Sequence, residues 1–263
     1  MDNGFSPKTK GGYSKWANIF ISVWFFTWLS SYAYADIRVG TVKFDPPYVL
    51  SLDQGFEIQL IKLICQRMNQ QCTLIQMPYY QLFEELLKGS IDIGIDSIRF
   101  YLSPSGGDTY IYSYPYLLSK GQFVVLRSSK INAIKDIPQG STVGLVKESG
   151  EPGRGLFYRF FVAKYGNTFQ VKLFDDIESL ISDLSSGNVT AVFLDNNEAN
   201  YWELNGGDQF DALETPMKVA DGIGIVALPQ NQALINSINQ QLINIESGSA
   251  YINLYNTYFH MGN

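Results

Sequence analysis

The feature that most limits how this chain can fold is a pattern of helix, glycine, strand and aspartate that occurs twice. In the first copy Gly89 ends a helical pattern and an apolar strand leads to Asp96; in the second copy Gly187 leads in the same way to Asp195. Each copy is preceded by a further strand and helix, and this alternation predicts parallel strands covered by helices on both faces. The chain is therefore predicted to be α/β with two similar units.

Hydrophobic periodicity predicts the elements of each unit. The predicted strands are residues 37–42, 73–77, 91–95, 142–146, 170–174 and 189–194, and the predicted helices are residues 56–68, 81–88, 155–165, 177–184, 233–245 and 250–259. Two extended apolar segments, residues 121–126 and 223–228, are interpreted as hinge strands that join two lobes. Lobe 1 is predicted to comprise residues 36–121 and 222–263, and lobe 2 residues 122–221, with mixed, mostly parallel sheets.

Residues 1–35 have the layout of a secretory signal peptide, with a lysine-containing leader, an apolar run at residues 19–29 and an Ala-x-Ala sequence that ends at Ala35. The alternative is an uncleaved N-terminal anchor. Cleavage after Ala35 would deliver an acidic protein to an oxidising compartment, where Cys65 and Cys72 are expected to pair. Two independent buried thiols are the alternative for the cysteines.

Composition excludes several classes of function. With 19 Lys and Arg against 25 Asp and Glu, electrostatic binding to nucleic acid is not expected. The single histidine, His260, excludes most zinc sites and any His-centred triad elsewhere in the chain. The glycine-rich residues 150–155 lack the Gly-Lys-Ser/Thr ending of a phosphate loop. Neither a metal nor a cofactor is therefore predicted.

Ligands of open α/β sheets bind beyond the carboxyl ends of the strands. The residues at those ends are 43–45, 96–99, 147–150 and Asp195. They include carboxylates, a guanidinium group and hydroxyls. The sequence therefore predicts a polar cleft that is shared by the two lobes.

Short segments along residues 36–260 also follow a recognisable order and spacing: residues 37–41, 46–48, 55–58, 64–68, Cys72, 91–95, 114–116, 143–144, Ser149, Asp195 and 221–225. In these segments the chain resembles the periplasmic solute-binding proteins of polar amino acid ABC transporters, in particular the lysine/arginine/ornithine and histidine binders. The resemblance implies a Venus-flytrap (type 2 periplasmic binding) fold that closes over an amino acid and a disulfide between Cys65 and Cys72. It also implies a monomer in the periplasm, an ABC permease as partner and no cofactor.

The resemblance assigns binding roles to individual residues. Tyr79 matches an aromatic ring that stacks on the ligand side chain. Asp195 matches an acid that binds the ligand amino group, and Ser149 matches a hydroxyl that binds the ligand carboxylate at a helix start. Asp96 and Ser97, at the end of the neighbouring strand, complete this part of the predicted contact set.

Two positions depart from the family pattern. Gly106 stands where the family has the arginine that holds the ligand carboxylate, and Val42 stands where it has a second acid for the amino group. Arg99 is hypothesised to replace the missing arginine, because a guanidinium group can hold a carboxylate through two parallel hydrogen bonds.

Each assignment has a structural alternative. Asp195 and Ser149 are also suited to cap helices. Arg99 is able to pair with an acid of the protein instead of a ligand. The remaining alternatives are a solvated Asp96, a turn at Asp45, core packing of Tyr79 and Tyr80, and Asp96 or Asp108 as the partner of Arg99.

The leading hypothesis is a binding protein, not an enzyme, that captures a polar solute by hinge closure. A cationic amino acid is favoured if Asp96 and Asp195 both face the cleft. One alternative is an enzyme on the same scaffold that resembles the periplasmic cyclohexadienyl dehydratases, with Glu148 or Asp195 as proton donor. Another is a sensory or assembly module that no longer transports, which is compatible with the missing arginine.

Overall fold

Two five-stranded sheets form the centre of the molecule in this computed structural model, which describes Gly4 and residues 36–102, 109–151 and 153–259. Both sheets lie within the unit of residues 34–263. The strands are β1 (Ile37–Thr41), β2 (Cys72–Gln76), β3 (Ile93–Gly94), β4 (Arg99–Phe100), β5 (Ile111–Tyr112), β6 (Lys120–Leu126), β7 (Thr142–Val146), β8 (Gln170–Phe174), β9 (Ala191–Asp195), β10 (Phe210–Lys218), β11 (Gly222–Ile223) and β12 (Val226–Ala227). The α-helices are α1 (Phe56–Arg67), α2 (Leu82–Lys88), α3 (Leu156–Tyr165), α4 (Ile177–Ser185), α5 (Asn196–Asn205), α6 (Gln232–Glu246) and α7 (Ser249–Phe259).

The first sheet has the strand order β2-β1-β3-β12-β5. Strand β1 is parallel to β2 and β3, whereas β12 is antiparallel to β3 and β5. Helix α1 covers this sheet through Phe56, Leu60 and Ile64, which are four residues apart and fully buried. This four-residue spacing is the helical stripe that the sequence predicts, because residues i and i+4 lie on one face of a helix.

The second sheet has the order β10-β6-β9-β7-β8, and both of its faces are buried. Along β9, Ala191 and Phe193 enter one core, while Val192 and Leu194 enter the core on the opposite face. Side chains alternate between faces along a strand, so a strand with helices on both sides needs an unbroken apolar run. Residues 189–194 supply that run.

The connection between the lobes differs in detail from the prediction. Residues 121–126 belong to β6 inside the second sheet, and residues 226–227 form β12 inside the first, so the two extended segments do not pair with each other. Two other segments pair through backbone hydrogen bonds a few residues away. Ile223 N donates to Leu117 O at 2.9 Å, and Val219 N donates to Ser119 O at 3.0 Å. The lobe boundaries at residues 121 and 222 stay a prediction.

The sheets are mixed, as predicted, but parallel pairs do not predominate. Each five-stranded sheet has two parallel and two antiparallel pairs. A two-stranded antiparallel sheet of β4 and β11 adds a further antiparallel pair.

The cysteine prediction is confirmed. Cys65 in α1 and Cys72 at the start of β2 form a disulfide with a Cα–Cα distance of 6.2 Å. It closes the turn that takes the chain from the helix into the edge strand of the first sheet. The predicted signal peptide, Gly106 and His260 lie outside the described residues apart from Gly4. None of the helices in the described part of the chain has the length and apolar character needed to cross a bilayer.

Candidate functional site

A cavity of about 540 Å³ opens between the carboxyl ends of the strands of the two sheets. Four sequence-predicted ligand contacts line it: Tyr79, Asp96, Ser97 and Arg99. The other charged residues of its wall are Lys43, Asp45, Glu148, Asp175, Asp176, Glu178 and Glu198. The cavity therefore brings together polar groups from both lobes, at the strand ends where the sequence places a cleft.

Arg99 begins β4 and extends into the cavity with a side chain that is only 6% exposed. Its Cζ atom lies 4.3 Å from the ring centroid of Phe157, in cation–π contact. Nη1 is 3.7 Å from Glu148 Oε1, and Nη2 is 3.7 Å from Glu198 Oε1. Arg99 thus pairs with two glutamates of the second lobe rather than with Asp96, while Asp108 lies outside the described residues. Its buried Nε has no hydrogen-bond partner among the described residues.

The two glutamates are held by backbone amides, which aims one oxygen of each at Arg99. Glu148 Oε2 accepts from Phe157 N at 2.8 Å and from Tyr158 N at 3.2 Å, at the start of α3. Glu198 Oε2 accepts from Asp195 N at 3.1 Å at the start of α5. A Cβ atom at residue 155, where Gly155 has φ +117°, would lie 2.2 Å from Glu148 Oε2, so this loop requires glycine.

Asp96 and Ser97 occupy a strained turn at the end of β3. Their φ angles are 116° and 46°, in a region that non-glycine residues rarely adopt. Glu57 stabilises the turn, because both of its carboxylate oxygens accept from Ser97 N, at 3.0 and 3.1 Å. Tyr116 donates to the same carboxylate at 2.7 Å. Burial raises the pKa of Glu57 to about 7, although these hydrogen bonds favour the charged form.

Asp45 and Asp96 are two acidic side chains that line the cavity, and Asp96 Oδ1 is buried without a hydrogen-bond partner among the described residues. The negative charge of Asp96 disfavours ionisation of Asp45. Burial, followed by the charge of the neighbouring acids, raises the pKa of both groups well above the ordinary aspartate value. Asp45 closes a turn through its backbone pairing with Val49, as the sequence favours, and its side chain is also part of the cavity wall.

Tyr79 lies in a short 3₁₀ turn, Tyr79–Gln81, that precedes α2, and it is 7% exposed. Its ring forms part of the cavity wall next to Pro78 and Tyr80. Burial raises the pKa of its hydroxyl well above the usual tyrosine value, so the side chain stays neutral. An apolar, neutral ring in the wall is suited to stack on the aliphatic part of a ligand.

Two predicted ligand contacts, Ser149 and Asp195, do not line the cavity in this conformation. The Ser149 hydroxyl accepts from Glu151 N at 3.2 Å within its own loop. Asp195 is fully buried and caps α5, which was its structural alternative, by accepting from Asn197 N at 3.0 Å. Asp195 Oδ1 also accepts from Tyr48 Oη at 2.5 Å. Ligand contact by Ser149 and Asp195 stays a prediction.

Sequence reasoning missed Glu198 and Phe157 as residues of the site. Glu198 stands three residues after Asp195, and the pair forms a capping box at the start of α5. The Asp-x-x-Glu spacing after an apolar strand is a signal that would have found both the helix and the glutamate. Phe157 is placed by Gly155 and by the fold of the second lobe, and its spacing carries no comparable signal.

A family profile and a search for similar sequences relate this chain to the same kind of protein. Residues 37–261 match the sequence profile of the bacterial extracellular solute-binding proteins, family 3. The arginine-binding periplasmic protein of Mannheimia haemolytica is 24% identical over 217 residues, which cover 80% of this chain and 85% of that protein.

Solved structures show the same architecture. An arginine 3rd transport system periplasmic binding protein from Legionella pneumophila is similar with a TM-score of 0.75 and 26% identity, over 85% of this chain and 99% of that one. An ancestral amino acid-binding protein, a precursor of cyclohexadienyl dehydratase, is similar with a TM-score of 0.71 and 18% identity, over 85% of this chain and 95% of that one. The two-lobed α/β fold predicted from the sequence is thereby confirmed.

Proposed function

Because the chain belongs to the bacterial extracellular solute-binding proteins, family 3, we propose that it is the solute-capturing component of an ABC transporter and binds a cationic amino acid or a related small solute. The observation that carries this proposal is the interlobe cavity, in which one buried guanidinium group is surrounded by carboxyl groups. A binding protein needs such a site, since charge-assisted hydrogen bonds in a cleft that excludes water give affinity for small charged solutes.

The charge of the cavity favours a ligand with net positive charge. Among the described residues that line it, the acids outnumber the bases by seven to two: Asp45, Asp96, Glu148, Asp175, Asp176, Glu178 and Glu198 against Lys43 and Arg99. Several of these acids are buried, and a buried charge is stabilised by a counter-charge more than by water. A ligand with two cationic groups and one carboxylate would reduce this imbalance.

The proposed contacts follow from the same charges. Arg99 is the group suited to a ligand carboxylate, because its planar fork has an unpaired Nε and faces the cavity. Asp96 is suited to a ligand ammonium group, with Ser97 beside it and the Tyr79 ring against the aliphatic part. Asp195 and Ser149 would have to rearrange to join this set, and we retain them as predicted contacts of a different lobe arrangement.

The setting in the cell belongs to the proposal as well. We infer that residues 1–35 direct export and are removed after Ala35, and that the mature chain acts as a monomer in the periplasm. Closure of the two lobes would present the loaded protein to an ABC permease in the inner membrane. The relative of Mannheimia haemolytica is periplasmic by name and matches most of this chain, which supports this location.

Ligand-induced thermal stabilisation of the exported chain tests the proposed function. Lysine, arginine, ornithine and histidine are compared with norleucine, which is lysine without its side-chain ammonium group. A true ligand at 100 times its dissociation constant adds about 2.7 kcal/mol to the free energy of unfolding, which raises Tm by roughly 5–10 °C in a protein of this size. Norleucine should have no effect. A flat response to every amino acid would contradict the proposal and favour the non-transport module.

An enzyme on the same scaffold is a second candidate, and the buried carboxyl groups favour it. Glu148 faces the cavity, and burial raises its pKa. A glutamate with a raised pKa is a more effective proton donor than an exposed glutamate. One similar structure is a precursor of a cyclohexadienyl dehydratase. Incubation with prephenate or arogenate separates the candidates, since release of an aromatic product that is lost in Glu148→Gln requires an enzyme.

A further inference from the structure

A buried hydrogen bond joins the two lobes at a point outside the cavity. Tyr48 lies between β1 and α1 on the side of the first sheet, and Asp195 ends β9 in the second sheet. The Tyr48 hydroxyl donates to Asp195 Oδ1 at 2.5 Å, and Asn197 Nδ2 donates to the Tyr48 hydroxyl oxygen at 3.0 Å. Tyr48 and Asp195 are both completely buried. The bond is therefore formed between two lobes and is shielded from water.

Both partners of this bond are held firmly by their own lobes. The Tyr48 ring packs edge-on against Phe259 at 6.0 Å, and its backbone oxygen accepts from Glu57 N at 3.1 Å. Gly55 allows this close approach, since a Cβ atom at that position would lie 2.3 Å from Tyr48 O. Asp195 is fixed by the capping box of α5. A hydrogen bond between two preorganised groups costs little conformational entropy to form.

The bond is separate from the residues that face a ligand. Tyr48, Asp195 and Asn197 do not line the cavity, whereas the interlobe ion pairs of Arg99 with Glu148 and Glu198 do. A ligand carboxylate would compete with the glutamates for Arg99, whereas Tyr48 and Asp195 are not among the residues that line the cavity. The Tyr48 bond therefore needs no ligand in order to form between the lobes.

We propose that Tyr48, Asp195 and Asn197 form an interlobe latch that stabilises the closed arrangement of the lobes, so that the closed conformation is populated before a ligand binds. In this role Asp195 is a positioning residue of the lobes. Opening would separate a buried tyrosine hydroxyl from its carboxylate partner, and hydrogen bonds to charged groups shift such an equilibrium by about tenfold or more. The inference goes beyond the proposed function, because it concerns the balance of closed and open molecules in the absence of a solute.

Interlobe distances in the exported chain without ligand test the latch. Spin labels are attached to cysteines introduced at Lys88 in α2 and Ser182 in α4, one exposed residue in each lobe, while both native cysteines are in the disulfide. The distance distribution then gives the ratio of closed to open molecules. Tyr48→Phe, which keeps the ring and removes the hydroxyl, should lower this ratio about tenfold.

Tyr116→Phe is the matched control, because it removes a buried tyrosine-to-carboxylate bond, to Glu57, on the first-sheet side alone. It should leave the distance distribution unchanged. Asn197→Ala removes a single donor of the latch and should shift the ratio in the same direction by less, so the test stands even if Tyr48→Phe folds poorly. Identical distributions for the native chain, Tyr48→Phe and Asn197→Ala would overturn the proposal, as would a native chain that is entirely open. Because no ligand is added, a failed latch and a failed solute assay are distinguishable.

Discussion

At the scale of single residues, Arg99 combines features that are costly unless they serve binding. Its guanidinium group is buried, its two acidic partners lie at 3.7 Å rather than at hydrogen-bonding distance, and its Nε has no partner in the described part of the chain. A buried donor without an acceptor is worth about 1–3 kcal/mol of lost stability. A ligand carboxylate in the cavity would recover this energy, which makes Arg99 the residue with the most direct effect on affinity.

Arg99→Ala is therefore expected to weaken binding of a carboxylate ligand at least tenfold, measured by isothermal titration calorimetry on the ligand found by thermal shift. Arg99→Lys keeps the charge but lacks the planar fork, so it should recover part of the affinity. Arg159→Ala, an exposed change on α3, is the control. Unchanged affinity in Arg99→Ala would show that the carboxylate is held elsewhere.

The sequence predicts where a side chain lies when residues close to it in sequence determine its position, and fails when distant residues do. Asp96, Ser97 and Arg99 were placed correctly in the cleft because residues that follow a buried strand emerge at the sheet edge. The direction of Asp195 was not predictable in the same way. Its carboxylate is aimed by Tyr48, 147 positions away in sequence, and by a capping box whose glutamate went unnoticed.

At the scale of secondary-structure elements, the strands and helices with a clear apolar period were predicted within one or two residues. The short strands β4, β5 and β11 were not predicted, and neither were two longer elements, each of which lacks that period. Helix α5 (Asn196–Asn205) is rich in asparagine, which is a poor helix former, and depends on its capping box. Strand β10 (Phe210–Lys218) contains a proline and a register shift between Leu213 and Met217, so its side chains do not alternate.

The disulfide is the element-scale feature with the clearest energetic consequence. It closes a loop with a sequence separation of 7 between α1 and β2. Loop-closure entropy for such a short loop predicts that Cys65→Ala with Cys72→Ala lowers the free energy of unfolding by about 2–3 kcal/mol. Urea unfolding at equilibrium measures this difference.

Reduction of the native protein provides the control for that variant, because it breaks the cross-link while both sulfur atoms remain. Cys65 is 4% exposed, so alanine at this position also removes buried contacts. Reduction alone should produce most of the loss in the free energy of unfolding that the double alanine variant shows. Equal free energies of unfolding for the oxidised and reduced proteins would show that the disulfide does not stabilise the folded state.

At the scale of the whole molecule, buried acids in the cleft and close to it set the pH dependence of folding. Burial is the largest cause that raises the pKa of each of six carboxyl groups: Asp45, Glu57, Asp96, Glu148, Asp195 and Glu198. In the unfolded chain such groups lose their protons near pH 4–4.5, whereas in the folded chain they keep them to higher pH. The folded state therefore binds more protons above about pH 4.5, and its stability falls as pH rises.

The contribution of Glu57 to the pH dependence can be measured separately, because its pKa of about 7 sets the upper end of the pH range in which it acts. Between about pH 4.5 and 7 this group alone should lower the free energy of unfolding by about 3 kcal/mol, and above that range its contribution is constant. Glu57→Gln mimics the protonated side chain, so the variant should lose that much less stability across the same window. Chemical unfolding of the exported chain at several pH values measures both slopes, with the exposed Glu178→Gln as control. A native chain that becomes more stable from pH 4.5 to 7 would contradict the proton binding inferred for the cleft, since depressed rather than raised pKa values would then dominate.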